Sequence, residues 1–458
     1  MVGALLRPHR EPASRLAWIG AIVALPIVGA LLYLLLGGAR LSNPRREVVR
    51  GIEGRLRRPE GNYHPDRDVR DSAHWAPFAL ACSVNGLAPT QGNVARLAAD
   101  SDAAIDEMIA DLDAARDTAH GCFYIWLADH NGVKLKEAFI RAAKRGVKVR
   151  ILADGLGSRH FIRSRHWEDL RRSPCDARVA LPLGNPLWTA IRGRIDLRNH
   201  RKLMIVDNEL AWCGSQNCAD AEFRIKPRFA PWVDIMSQWK GLVARQCQYL
   251  FACDWIAEGG DDISGLLSRP QQPGGGRIIA QVLGTGPTIE FDAMPACFAQ
   301  MIHAAREELV ITTPYFVPDE QLLFAMTSAA RRGVRTIAIF PKRNDSLVVA
   351  GASRSYYKDL IKAGVEIHEF RPGLLHAKTM VVDRRIGLIG SANLDRRSFE
   401  LNFENNILFE DESFAAAVRA RQDEYLAQSD QIGRGDVEYY GIARRLSQNL
   451  LATLSPIF

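Results

Sequence analysis

Paired cysteines are missing from this chain. Its 8 cysteines fall singly along 458 residues, with no CxxC pair and no companion histidine at a zinc-site interval, so nothing supports a disulfide framework or a zinc ribbon. They read as reduced, mostly buried small hydrophobes, which fits a protein facing the cytoplasm better than an oxidising space. Acidic residues are too few to balance the basic ones, 52 against 59, and the formal net charge is +7. That surplus favours an anionic partner, whether a phospholipid surface, a phosphate ester or a nucleic acid, without choosing among them.

Long uncharged runs are also scarce. One, LAWIGAIVALPIVGALLYLLLGG, extends from Leu16 to Gly38, and at about 1.5 Å per residue it covers a bilayer core of about 30 Å. It predicts one N-terminal transmembrane helix at 16–38, with a cleaved signal peptide as the rival. A basic segment, 1–15, carries Arg7, Arg10 and Arg15; beyond the run come Arg40, Arg45, Arg46, Arg50, Arg55, Arg57 and Arg58. The excess downstream places the remainder on the cytoplasmic side of the cell (inner) membrane. Residues 39–93, rich in Arg, Pro and Gly, read as a basic juxtamembrane linker and entry segment.

Helix and strand patterns then alternate, which predicts an α/β fold. AAIDEMIADLDAARD puts Ile105, Met108, Ile109 and Leu112 on one helical face, CFYIWLAD reads as a strand, and KLKEAFIRAAKRG leads into VKVRILAD. The series recurs as MPACFAQMIHAAREE, LVITTPYFV, LLFAMTSAARRG and VRTIAIF. Between the copies lies the Pro/Gly linker 269–277. The folded part is therefore a tandem duplication, 94–268 and 278–458.

A shared motif marks the two copies. NHRKLMIVDNELAWCGSQN and LHAKTMVVDRRIGLIGSAN both read HxK(x4)D(x6)GSxN, giving His200, Lys202, Asp207, Ser215 and Asn217, then His376, Lys378, Asp383, Ser391 and Asn393. Each copy predicts a β-hairpin, in which His and Lys, two apart, share a face. With the turn near Asn208, Lys202 lies opposite Gly214 and His200 opposite Gln216, so Ser215 and Asn217 come beside the pair. Gly214 and Gly390 then let a substrate oxygen approach the backbone.

Such a cluster suits a phosphodiester, whose negative charge repels nucleophiles unless cations neutralise it. One copy supplies one imidazole and one ammonium. Two copies face to face supply a nucleophilic imidazole, an acid imidazole, two lysines and the Ser and Asn donors that hold phosphate, a set that needs no metal and no cofactor. The aspartates 207 and 383 complete the catalytic set, or cap the hairpins.

The doubled motif resembles the phospholipase D superfamily, which implies two similar α/β repeats packed about a pseudo-twofold axis around one site. TPYFVPDE (313–320), AGVEIHEFRPGLLHAKTMVVD (363–383), GSANLDRRSFELNFE (390–404), PWVDIMSQWKGLV (231–243) and CDW (253–255) are similar to bacterial cardiolipin synthases. The resemblance implies phosphatidyl transfer between two phosphatidylglycerol molecules through a phosphohistidine, with glycerol released and anionic membrane lipids as partners. It also implies a carboxylate beyond each motif that orients its histidine, at Asp234 and Glu404. Many relatives carry two hydrophobic helices before the catalytic part, where this chain shows one uncharged run. A phosphodiesterase of the same superfamily, lipid hydrolase or membrane-tethered nuclease, is the runner-up, and a non-catalytic lipid-binding scaffold the third reading. Nucleic acid is not the expected partner, because much of the charge surplus adjoins the apolar run. Oligomeric state and the choice of attacking histidine stay open. The ending GIARRLSQNLLATLSPIF predicts a helix that docks on the core or lies on the membrane.

Overall fold

The computed structural model describes residues 12–36, 43–61, 75–183, 196–223, 225–270, 274–289, 293–438, 446 and 451. Its centre is a sheet to which each copy contributes an equivalent set of seven strands. The first copy gives β1 (Thr90–Leu97), β2 (Thr118–Phe123), β3 (Lys148–Asp154), β4 (Asp176–Ala180), β5 (Lys202–Val206), β6 (Leu210–Gly214) and β7 (Met236–Lys240). The second gives β8 (Ile278–Thr285), β9 (Glu308–Thr312), β10 (Arg335–Pro341), β11 (Glu366–Phe370), β12 (Thr379–Val382), β13 (Ile386–Gly390) and β14 (Asn402–Glu410), with β15 (Ser429–Ile432) at the edge. From the centre outward the orders are β1-β7-β6-β5-β2-β3-β4 and β8-β14-β13-β12-β9-β10-β11, joined by antiparallel pairing of β1 with β8. Adding seven to each strand of the first copy gives the second. This is the pseudo-twofold relation that duplication requires.

Helices cover both faces. Ser101–Ala114 and His130–Lys144 pack on the first half, and Ala293–Ala304 and Glu320–Arg331 on the second. Asp100, Asp129 and Asp319 begin three of them, each accepting a backbone N–H two or three residues into the helix. Gly146 and Gly333, in the matching AAKRG and AARRG stretches, follow the ends at φ of +98° and +91°, where a Cβ would strain the turn. On the opposite face, Leu242–Ala257 and Glu412–Ala427 lie over one apolar cluster drawn from both halves, including Trp239, Phe251, Val310, Ile389 and Phe409. The halves thus share a core. Seven of the eight cysteines are buried and all are free thiols.

Three expectations need correction. The described residues of the run 16–38 fall in two helices, Pro12–Ala24 and Pro26–Leu36, rather than one. Pro26 starts the second because it lacks an N–H and its ring crowds the preceding turn. The second helix folds back, so that the rings of Trp18 and Tyr33 meet edge-on at 5.4 Å, against about 22 Å along one continuous helix. Gly29 lies at the crossing, where a Cβ would overlap the Ala21 carbonyl. Among the described residues no helix is long and apolar enough to cross a membrane. The described parts of 39–93 are more than a tether: helices Asn43–Arg55 and Trp75–Asn85 lie there, and β1 begins at Thr90. Val49, Ile52 and Leu56 are buried and Arg45 pairs with Glu258. Finally, CFYIWLAD is not one strand, because β2 ends at Phe123 and the chain leaves the sheet there. Most of the C-terminal stretch 439–458 lies outside the described residues, although Leu451 packs against Gly351.

Asp207 and Asp383 are displaced from the reacting set as well. Both stand at positive φ, +54° and +49°, in the hairpin loops, followed by Asn208 and Arg384 at +60° and +54°. Asp207 accepts the backbone N–H groups of Arg116, Asp117 and Thr118 at 2.8–3.0 Å. Asp383 does the same for Arg306, Glu307 and Glu308 at 2.8 Å. They anchor the entry into β2 and β9, seven residues and about 23 Å of strand from the histidines. Asp207→Ala and Asp383→Ala are each expected to destabilise the fold by about 2 kcal/mol while leaving turnover per folded molecule nearly intact. Thermal melts read beside rates decide it: an unchanged midpoint with lost turnover would return these residues to the chemistry.

Candidate active site

The hairpins set the spacing. β5 pairs with β6 in the register Leu203↔Cys213 to Val206↔Leu210, and β12 with β13 as Thr379↔Ile389 to Val382↔Ile386. Continued by one residue, each register puts the lysine opposite the motif glycine. The glycines serve a different purpose from the expected one. A Cβ on Gly214 would overlap the Ile235 carbonyl, and one on Gly390 the Asn405 carbonyl; the space belongs to the neighbouring strand rather than to a substrate.

Two short parallel ladders cross between the halves and fix the histidines. Arg198 and Asn199 pair with Asn402 and Phe403, and the His200 N–H donates to the Phe403 carbonyl at 2.9 Å. Leu374 and Leu375 pair with Trp232 and Val233, and the His376 N–H donates to the Val233 carbonyl at 2.8 Å. The next residue along each partner strand is a carboxylate. His200 Nδ1 therefore meets Glu404 at 2.9 Å, and His376 Nδ1 meets Asp234 at 2.6 Å. The sequence reading paired each carboxylate with the histidine of its own repeat; the structure exchanges them. A carboxylate at Nδ1 favours the tautomer with its proton there, which leaves Nε2 free.

The serines support the carboxylates. Ser215 Oγ donates to Asp234 Oδ1 at 2.5 Å and accepts the Ile235 N–H at 3.0 Å. Ser391 Oγ donates to Glu404 Oε2 and accepts the Asn405 N–H at 3.0 Å. With both hydroxyls committed, their expected place as phosphate donors passes to other groups. Asn217 Oδ1 accepts the Ile125 N–H at 3.2 Å, and Asn393 Oδ1 is buried without a hydrogen-bond partner among the described residues. The lysines lie on the histidines' own strands: Lys202 Nζ donates to the His200 carbonyl at 2.7 Å and Lys378 Nζ to the His376 carbonyl at 2.5 Å.

Packing so many ionisable groups in a dry space shifts all of them. Burial pulls Lys202 down to about 8 and Lys378 to about 7, against the pull of Glu404 and Asp234. Burial also drives His200 well below the ordinary imidazole range, reinforced by Lys202, Lys378 and His376. His376 is lowered less decisively, because Asp234 opposes the effect of burial. Burial pushes Glu404 up to about 7, opposed by Lys202 and by hydrogen bonds from Ser391, Asn402 and Ser398. For Asp234, burial is outweighed by His376 and Lys378, and the carboxyl stays below its usual range. These mutual effects place both motifs in one electrostatic cluster.

Sequence reasoning missed the aromatic walls. Tyr124 sits edge-on to His200 with centroids 4.8 Å apart and lies 5.1 Å from Lys202 Nζ. Trp232 lies 4.8 Å from His376. Tyr124 is the first residue past β2, beside the HxK strand, where α/β sheets commonly build their sites. It was obscured by reading CFYIWLAD as continuous strand.

Two α/β repeats presenting one histidine and one lysine each to a shared, buried cluster define the two-histidine phosphodiester-processing class. A model of the family described as "Cardiolipin synthase, PLD-like domain" matches residues 108–226 and 298–425, and one described as "Phospholipase_D-nuclease N-terminal" matches residues 2–38. Cardiolipin synthase A of Salmonella arizonae and that of Salmonella enteritidis PT4 are each 33% identical over 462 residues, covering 99% of this chain and 94% of theirs. Among solved structures, a phosphatidylserine synthase of Haemophilus influenzae Rd KW20 is similar in fold, with TM-score 0.60, 14% identity, and 83% and 97% of the two chains covered. Polyphosphate kinase of Porphyromonas gingivalis shares the fold at TM-score 0.50 and 12% identity, over 75% of this chain and 49% of that one. The chain belongs to the bacterial cardiolipin synthases, phosphatidyltransferases of the phospholipase D superfamily.

Glu404 offers a pH test. Its carboxyl titrates near 7 in the folded chain against an ordinary value of 4.5, so the folded state holds the proton longer than the unfolded one. Its contribution to stability is present below about 4.5 and is lost as pH rises through 7. Measured against Glu404→Gln, the wild-type melting midpoint should therefore fall steadily between those values and level off above. A constant difference across the range would show that burial does not perturb this carboxyl.

Proposed function

We propose that the chain joins two phosphatidylglycerol molecules into cardiolipin and glycerol through a covalent phosphohistidine, at the cytoplasmic face of the membrane. The crossed histidine–carboxylate pairs carry this reading. Their asymmetry also supports the assignment of roles. His200, driven neutral by burial and by cationic neighbours, attacks phosphorus through Nε2. His376, beside the ionised Asp234, carries the proton.

In the first half-reaction the His200 Nε2–P bond forms as the P–O bond to the leaving glycerol breaks, and His376 Nε2 protonates the departing oxygen. In the second, His376 takes the proton from the terminal hydroxyl of another phosphatidylglycerol. That oxygen bonds phosphorus and the P–N bond breaks. Lys202, Lys378, Asn217 and Asn393 are assigned to the phosphate oxygens, where charge grows in the transition state. Ser215, Ser391, Asp234 and Glu404 keep both rings in the correct tautomer. No step calls for a metal or cofactor. The membrane location and orientation rest on the uncharged run 16–38 and the basic residues after it.

Purified full-length protein incubated with phosphatidylglycerol vesicles in EDTA should release glycerol and cardiolipin in equal amounts. Phosphatidic acid as the sole product would make the chain a hydrolase instead. His200→Ala and His376→Ala should each lower kcat by at least about a thousandfold. Only with His376→Ala should an acid-labile phosphatidyl adduct build up on the protein, and its appearance on His200→Ala would reverse the roles.

A further inference from the structure

Two series of neighbouring side chains lead outward from the histidines and meet at Lys226 and Asp345. From His376, Trp232 stacks on Phe223 with centroids 3.8 Å apart. Phe223 is held at φ +39°, a strained value for a bulky side chain, and the chain continues to Ile225 and Lys226. From His200, Tyr124 lies within electrostatic range of Tyr315, whose hydroxyl donates to Asp345 Oδ1 at 2.6 Å. The other oxygen of Asp345 takes Lys226 Nζ at 2.6 Å. A loop of the first half and a loop of the second are thus pinned together over the shared site.

The tips of these loops are exposed and apolar. Ile225 is 45% exposed, and Leu347, two residues past Asp345, is 83% exposed. Leu347 opens the helix Leu347–Ser355, and Leu451 of the C-terminal stretch packs one turn along, at Gly351. Arg228 and Arg343 are exposed on the same loops, against one exposed acid, Glu222; Asp345 is half-buried and satisfied by Lys226 and Tyr315. Separate apolar tips, each with an exposed arginine on the same loop, suit a fluid anionic surface, which needs no shaped groove.

We propose that Glu222, Phe223, residues 225–230 and residues 343–348 form a membrane-inserting rim that seats the mouth of the site on anionic lipid, so that substrate passes from the bilayer to the histidines beside the Lys226–Asp345 link. This deepens the proposed function and rests on it. The rim is distinct from the apolar helices at 12–36, so the protein would contact its membrane at two places.

The test uses full-length protein reconstituted in vesicles. Leu347→Cys and Ile225→Cys, each labelled with an environment-sensitive fluorophore, should be quenched by brominated phosphatidylglycerol, and less by brominated phosphatidylcholine in vesicles of that lipid alone. In mixed micelles, Ile225→Glu combined with Leu347→Glu should raise the apparent KM for phosphatidylglycerol by roughly tenfold with little change in kcat. Activity on a short-chain phosphatidylglycerol below its aggregation limit should be unchanged. Labels that stay unquenched while cardiolipin is still made would overturn the rim and leave the function standing. Equal loss on monomeric and aggregated lipid would also overturn it, by showing a structural defect. Equal quenching by the two lipids would remove the anionic part. Quenched labels without cardiolipin would sink the function and spare the rim.

Discussion

Everything in the site depends on two ladders, each only two residues long. They are parallel, they cross from one half to the other, and each delivers a histidine one step beyond its last pair to a carboxylate one step beyond the partner's. Without the backbone bonds at Phe403 and Val233, neither imidazole would have a defined tautomer. Nothing else described here would compensate, because the serines act on the carboxylates and the lysines bond their own strands.

The same geometry explains the electrostatic asymmetry. A glutamate and an aspartate occupy equivalent places, and both are buried. Glu404 is pushed towards neutrality, while Asp234, nearer the combined influence of His376 and Lys378, remains charged. A duplicated scaffold thus gives its two rings different electrostatic settings through the depth and company of one carboxylate each. The burial that lowers the lysines is costly to the fold, and the shared core beneath Leu242–Ala257 and Glu412–Ala427 supplies the apolar packing that offsets it.

Much of this was legible beforehand because duplication repeats its own evidence. The HxK spacing, the hairpin register and the two α/β halves all followed from periodicity that occurs twice, and His200, Lys202, His376 and Lys378 come together as the motif implied. What stayed hidden depended on contacts across the pseudo-twofold. No linear pattern could say that Glu404 serves His200, since the residues are 204 apart and the assignment is made by pairing of strands from opposite halves. Ser215 and Gly214 were misread for a related reason: the neighbouring strand, β7, that fills the space beside them comes from sequence read only as a family likeness. The uncharged run at 16–38 satisfied a length criterion, while Pro26 and Gly29 inside it make the fold-back that length cannot reveal.

The exchange of carboxylates bears on how such a molecule arises. A polypeptide with a single repeat would hold its ring beside an empty position, and could be completed only by a second copy meeting it face to face. Two copies in one chain make permanent an encounter that would otherwise depend on concentration, and they let Asp234 and Glu404 differ in chemistry.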